Sequence, residues 1–111
     1  HYYGATIELK IEDKFGVTFN DAEATESARK VIQECFGEDA LVRDYKPSMG
    51  GEDFSYTLAV RPGSYIHIGS GDEDHPHGLH NPQYDFNDSI IPLGVSLLSR
   101  LAVASLNRQY S

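Results

Sequence analysis

The sequence has 111 residues, 40% hydrophobic and 23% charged, which is typical of one folded domain. Its formal net charge of −8 repels phosphate groups, so nucleic-acid binding and attachment to an anionic membrane surface are not expected. No uninterrupted apolar run reaches the roughly 20 residues of a membrane-spanning helix. The single cysteine, Cys35, excludes an intrachain disulfide, and no signal-peptide pattern is visible, so a cytoplasmic location is expected.

The first third of the chain predicts one strand and one helix. Residues 5–11 alternate, which is typical of a half-buried strand whose inner face would be formed by Ile7, Leu9 and Ile11. Apolar residues then recur at three- and four-residue steps from about residue 21 to residue 36. Asn20 or Asp21 can cap the start of this helix, and Gly37 is well placed to end it.

The remainder predicts two further strands, at residues 40–45 and 64–69, and two further helices, one at residues 52–60 and a final one capped by Asn87 or Asp88. Pro92 would lie in the first turn of the last helix. The inner stripe of that helix would consist of Leu93, Leu97, Leu98, Leu101, Ala102 and Ser105. The order β-α-β-α-β-α predicts an α/β architecture with at least two parallel strands, and the strictly alternating first strand is compatible with a separate sheet.

A long irregular segment at residues 70–87 carries three of the five histidines, His75, His77 and His80. Imidazole nitrogens suit zinc and similar ions, and loops of this length are commonly functional. This spacing alone also fits an ordinary solvated loop. A metal site built from the three histidines and an acid such as Asp72 is therefore one hypothesis among others.

A glycine turn at Gly50 and Gly51 opens the predicted helix at residues 52–60. Such a turn allows close approach of a backbone and can direct N–H groups at an anion. Neither a dinucleotide-binding glycine pattern nor a phosphate-loop lysine accompanies it. An ordinary helix start explains the turn equally well.

Three segments together resemble one family. They are Met-Gly-Gly-Glu-Asp-Phe-Ser-Tyr at residues 49–56, Arg-Pro-Gly-Ser-Tyr-Ile-His-Ile-Gly at 61–69, and Gly-Leu-His-Asn-Pro-Gln-Tyr-Asp-Phe-Asn-Asp at 78–88. In this order and spacing they are similar to the C-terminal region of the hippurate hydrolase and indole-acetyl-amino-acid hydrolase group. This group is a branch of the aminoacylase-type metallopeptidases, and the similarity runs over essentially the whole chain.

The resemblance implies a fold and a site. Residues 1–16 would be the end of an α+β lid or dimerisation domain, and residues 17–111 the C-terminal part of a metallopeptidase-type catalytic domain. His80 matches the family's last metal ligand, and Gly50 and Gly51 match the turn that lines the substrate cleft. Gly51 is a mild departure, because relatives often carry Ser or Ala there. The resemblance also implies that Asn81, Tyr84 and Asp85 orient the ligand or fix the loop, because a ligating imidazole normally donates its other N–H to a partner.

The resemblance also implies a reaction, in which metal-activated water cleaves the amide bond of an N-acyl amino acid. Each complete active site would hold two divalent metals, zinc or manganese, and a homodimer is compatible with the lid domain. The family's other ligands and its general-base glutamate come from an N-terminal part that is not in this sequence. The chain also does not begin with Met. We therefore expect a fragment that does not hold metal tightly and is inactive alone.

Two other hypotheses about the function are also compatible with the sequence. In the first, the histidine loop is an autonomous metal-binding module, so that loss of His75 or His77 would be damaging. In the second, the chain is a structural or interaction domain. A half catalytic domain would expose sheet edges and apolar surface, and it would tend to self-associate.

Overall fold

The structure, a computed structural model, describes residues 3–109. It has three α-helices, α1 (Ala22–Phe36), α2 (Phe54–Val60) and α3 (Ile91–Gln109). A 3₁₀ turn follows α1 at Glu38–Ala40, and another precedes α3 at Asp88–Ile90. The three predicted helices are therefore confirmed, each with a start within a few residues of the expected position.

Helix α1 forms where the sequence places a cap and an apolar stripe together. The Asp21 carboxylate accepts a hydrogen bond from the Ala24 N–H at 2.8 Å, a contact typically worth about 1 kcal/mol. Gly37, at φ +89°, ends the helix and donates its N–H to the Gln33 carbonyl. Ala28 and Val31 are buried on the inner face. Of the two predicted caps, Asp21 is therefore the one that the structure uses.

Asn20 has a different role, because its carboxamide bonds to the backbone of a distant residue. Its Oδ1 accepts from the Tyr65 N–H at 2.7 Å, and its Nδ2 donates to the Tyr65 carbonyl at 3.3 Å. The Asp21 N–H also donates to the Gly63 carbonyl at 2.9 Å. These contacts attach the segment after α2 to the start of α1.

Helix α3 packs against α1 with one face and leaves a second apolar face uncovered. Leu97 is buried, and a Cβ at Gly94 would lie 3.6 Å from the Ile68 side chain. The opposite, exposed face carries apolar residues at helical spacing, namely Ile91, Val95, Leu98, Ala102 and Leu106. The predicted inner stripe is therefore partly wrong, since Leu98 is 68% exposed whereas Leu97 lies in the core.

The segment Asp88–Asn107 is long and apolar enough to cross a membrane, judged by length and composition only. The sequence prediction missed it because serines and Arg100 interrupt the apolar run. Core helices of soluble proteins meet the same criterion, and a helix that is apolar on several sides is typical of the interior of a larger domain. The finding is thus weak support for a membrane span.

The three predicted strands are not found, because residues 3–109 contain no β-strand. The predicted β-α-β-α-β-α order is therefore not confirmed. A strand requires hydrogen bonds from a neighbouring strand, and these three segments do not pair with one another. The predicted inner face of residues 5–11 is open to solvent, with Ile7 87% and Ile11 77% exposed.

Apolar burial within the described part of the chain is small. The buried apolar side chains are those of Ala28, Val31 and Leu97. The radius of gyration is 19.2 Å, whereas a compact domain of this length would have about 13 Å. The part of the chain that the structure describes is therefore extended and has a small core.

Candidate functional site

His80 lies in a tight turn with a backbone conformation that is uncommon for a side-chain-bearing residue. The Asn81 N–H donates to the Gly78 carbonyl at 3.2 Å, which places His80 at the third position of the turn. Its φ is +68°, and within residues 3–109 no other residue except glycine has a positive φ. This region costs roughly 1–2 kcal/mol per residue, and such strain is often found at functional positions.

A second turn follows at once and fixes the chain after His80. The Tyr84 N–H donates to the Asn81 carbonyl at 2.9 Å, and the Asn81 side chain accepts from the Gln83 N–H at 2.9 Å. Pro82, whose φ is fixed by its ring, occupies the second position of this turn. Asn81 thus stabilises its own turn, and the His80 ring is exposed without a hydrogen-bond partner among residues 3–109.

The glycine turn before α2 is held by the carboxylate of Glu52. One oxygen accepts from the Phe54 N–H at 3.1 Å and the other from the Tyr65 hydroxyl at 3.0 Å. These hydrogen bonds, led by that of the Phe54 N–H, lower the pKa of Glu52, and the carboxylate in turn raises the pKa of Tyr65. Glu52 therefore fixes the geometry that follows Gly51 and connects it to the segment after α2.

Gly50 and Gly51 differ in the space around them. A Cβ at Gly51 would lie 2.8 Å from the Phe15 ring, whereas the nearest atom to a Cβ at Gly50 is the Ser48 hydroxyl at 3.8 Å. The ring of Phe15 therefore provides a local reason for glycine at position 51. Gly50 faces open space, so its backbone can be approached closely.

The residues around His67 form a row of rings beside Glu52. The Tyr65 and His67 rings meet edge to face with centroids 5.0 Å apart, and Tyr45 lies 5.0 Å from the other side of His67. Phe54 extends the row, at 5.5 Å from Tyr65. His67 thus makes packing contacts in an aromatic cluster.

Asp72 and His75 form a pair at the start of the long loop. The His75 Nδ1 lies 2.7 Å from an Asp72 carboxylate oxygen, which also accepts the N–H groups of Asp74 and His75. No group of three or more potential ligands that could hold a metal ion occurs in the described part of the chain. The structure therefore does not bring His75, His77, His80 and Asp72 together as the autonomous metal module requires.

The pKa of His75 reports on the hydrogen bond between His75 and Asp72. The hydrogen bond to Asp72, aided by the charges of Asp72, Asp85 and Asp74, raises the pKa of His75 above its ordinary 6.5. The bond to His75 lowers the pKa of Asp72. The stabilisation of the fold by protonated His75 is complete below pH 6.5 and is lost as the pH rises through the raised pKa of His75. The stabilisation by ionised Asp72 is lost as the pH falls through the lowered pKa of Asp72.

Substitution of Asp72 by Asn is expected to return the His75 midpoint toward its ordinary value, as followed by the imidazole NMR signal during a pH titration. Asp74→Asn is the matched control, because Asp74 contributes only its charge to His75 and should shift the midpoint less. An unchanged midpoint in Asp72→Asn, or an equal shift in both variants, would contradict the pairing.

Asn87 is a residue whose role the sequence did not reveal. It was predicted only as a helix cap, and its side chain does accept from the Ser89 N–H at 3.0 Å. The same side chain is 5% exposed and also donates to the Ser70 carbonyl and the Asp72 carboxylate. These partners lie 17 and 15 residues away, so local sequence patterns could not have indicated them.

Comparison with known proteins places the chain in a family. The sequence model of peptidase family M20/M25/M40 matches residues 5–104. A hippurate hydrolase of Campylobacter jejuni is 31% identical over 102 residues, which are 90% of this chain and 26% of that protein. An IAA-amino acid hydrolase of Arabidopsis thaliana is 32% identical over 95 residues, 85% of this chain and 21% of that protein.

A thermostable carboxypeptidase of Saccharolobus solfataricus is 31% identical over 111 residues, 96% of this chain and 27% of that protein. The chain thus spans about a quarter of the length of the curated relatives it matches. No solved structure matches the chain. The resemblance seen in the three motif segments is confirmed by these matches, and the chain belongs to peptidase family M20/M25/M40.

Proposed function

We propose that this chain is the C-terminal part of a metal-dependent hydrolase that cleaves the amide bond of N-acyl amino acids. The observation that carries the proposal is the family match over residues 5–104. Relatives named hippurate hydrolase and IAA-amino acid hydrolase support this substrate class. In the proposed division, residues 1–16 end the lid domain and residues 17–111 belong to the catalytic domain.

His80 is the proposed metal ligand of this chain. Its ring is exposed at the tip of a turn, and it makes no hydrogen bond within residues 3–109 that would compete with a metal for its nitrogens. Neutral imidazole suits zinc and related divalent ions. A divalent metal in such a site supplies polarisation of the amide carbonyl and a bound water of lowered pKa. His80 would orient that metal through a backbone turn fixed on both sides.

Gly50 and Gly51 are proposed to line the substrate cleft. The backbone around Gly50 is open to close approach, and Glu52 holds the turn on its C-terminal side through the Phe54 N–H and the Tyr65 hydroxyl. A substrate carboxylate or amide could therefore be positioned against a backbone of defined geometry. In this proposal the Glu52 side chain positions the backbone of the turn.

The remaining ligands and the general base are proposed to come from the rest of a longer protein. A catalytic metal site needs about three protein ligands, and the described residues contain no group of three. Uncovered apolar surface supports this division, since residues 5–11 and the outer face of α3 expose large aliphatic side chains. A partner domain that covers both surfaces would bury these side chains and enlarge the core, and the lid domain would allow a homodimer.

The proposal is tested by assaying the complete protein against N-acyl amino acids with different acyl groups, such as hippurate and indole-acetyl amino acids. Amide hydrolysis that is lost after treatment with a chelator and restored by zinc or manganese would support it. Hydrolysis that persists without metal, or activity only on esters or peptides, would contradict it. The ion that restores activity best would identify the metal.

A further inference from the structure

The Asn87 carboxamide joins the two ends of the loop that carries His80. At one end its Nδ2 donates to the Ser70 carbonyl at 3.1 Å and to an Asp72 oxygen at 2.8 Å. At the other end its Oδ1 accepts from the backbone N–H of Ser89 and from its hydroxyl. Residues 73–86, including both turns around His80, therefore lie between two segments bound to one buried side chain.

The chemistry of these four partners requires a carboxamide at position 87. The partners at one end are acceptors, and those at the other end are donors, so one group must both donate and accept. An aspartate would keep the acceptor but would face the Asp72 carboxylate without a proton to donate. An alanine would remove the hydrogen bonds of this buried carboxamide to Ser70, Asp72 and Ser89 at once, each typically worth about 0.5–1.5 kcal/mol.

The loop itself has few other attachments. Its residues are exposed at most positions, and its internal hydrogen bonds are local, in the pair of turns at 78–84 and around Asp72. A long loop without such a closure samples many arrangements. The Asn87 side chain is thus the contact that limits where the His80 turn can lie relative to the start of α3.

We infer that Asn87 is a positioning residue, which fixes the His80 turn by joining residues 70–72 to the start of α3. This inference rests on the proposed function only where it concerns metal binding, because the positioning of the loop can be measured without any metal. Groups that orient metal ligands commonly change metal affinity by about 10- to 100-fold when removed.

The test compares three variants of the complete protein, Asn87→Ala, Asn87→Asp and Asn20→Ala, by hydrogen exchange and by divalent-metal affinity. Asn20→Ala is the matched control, because it removes a carboxamide that also makes hydrogen bonds on two sides but acts on Tyr65, outside the loop. Exchange is followed in residues 76–86, in the 3₁₀ turn at Asp88–Ile90 and in α1, which serves as the internal reference.

Asn87→Ala should raise exchange of the hydrogen-bonded amides of Asn81, Gln83 and Tyr84 by about tenfold or more, with α1 unchanged and zinc affinity lowered by about 10- to 100-fold. Asn87→Asp should loosen the loop but keep the 3₁₀ turn at Asp88–Ile90, because it retains the acceptor for Ser89. Equal loosening in Asn20→Ala, or no change in the loop in Asn87→Ala, would overturn the inference. A loosened loop with unchanged zinc affinity would support positioning by Asn87 and count against His80 as a ligand.

Discussion

Replacement of His80 by Ala in the complete protein is expected to reduce kcat/KM for N-acyl amino acids by more than about 100-fold. Removal of a group that only orients a ligand typically costs about 10- to 100-fold, and loss of a ligand should exceed this. The imidazole is exposed at a turn of uncommon backbone conformation, so the substitution removes few folded-state contacts. The loss should therefore appear in activity and in metal content with little change in thermal stability.

His77→Ala and His75→Ala are the controls for this experiment. Both residues lie in the same loop within five positions of His80, and both carry the same side chain. His75→Ala removes the contact with Asp72, so a small loss of stability is expected without loss of metal. A loss of activity in His77→Ala as large as that in His80→Ala would contradict the assignment and favour a site built from the histidine loop.

The 111-residue chain alone is expected to show no hydrolysis of N-acyl amino acids above the uncatalysed rate. Enzymes accelerate such reactions by at least about 10⁶-fold, so the difference from the complete protein should be of that order or greater. The physical reason is that residues 3–109 bring together no group of three potential ligands, whereas a metal-activated water needs a site of defined coordination.

This experiment is made with excess zinc or manganese, and the circular dichroism of the same sample is recorded to show that the chain is helical. Turnover by the folded chain that disappears in its His80→Ala variant would contradict the account. Turnover that survives this substitution would indicate a contaminating hydrolase.

Local signals predicted the helices well, because the interactions that start and stop a helix lie within a few residues. Asp21, Gly37 and the apolar stripe through Ala28 and Val31 all act inside α1. Strands depend on partners distant in sequence, so the alternation of residues 5–11 predicts a face but not the neighbour that would cover it. That face is open in this chain, with Leu9 78% exposed.

The candidate site was also predicted only in part, because some of its features are local in sequence and others depend on distant contacts. The motif that contains His80 indicated a ligand position, but its backbone conformation at φ +68° is set by two consecutive turns and was not predicted. Asn87 looked like a cap because Ser89 is two residues away, while its contacts with Ser70 and Asp72 span the whole loop. The outer face of α3 was misread because a helix with two apolar faces gives no single stripe.

The measurement that tests the central claim most directly is a zinc titration of the 111-residue chain, with elemental analysis after gel filtration. The account predicts weak binding through His80 and no retained equivalent, because the other ligands of the site lie outside this chain. Structural zinc sites bind with about 10–16 kcal/mol, far more than one imidazole can provide. One equivalent held tightly, and lost in His75→Ala or His77→Ala, would contradict the account and establish the histidine loop as a complete site.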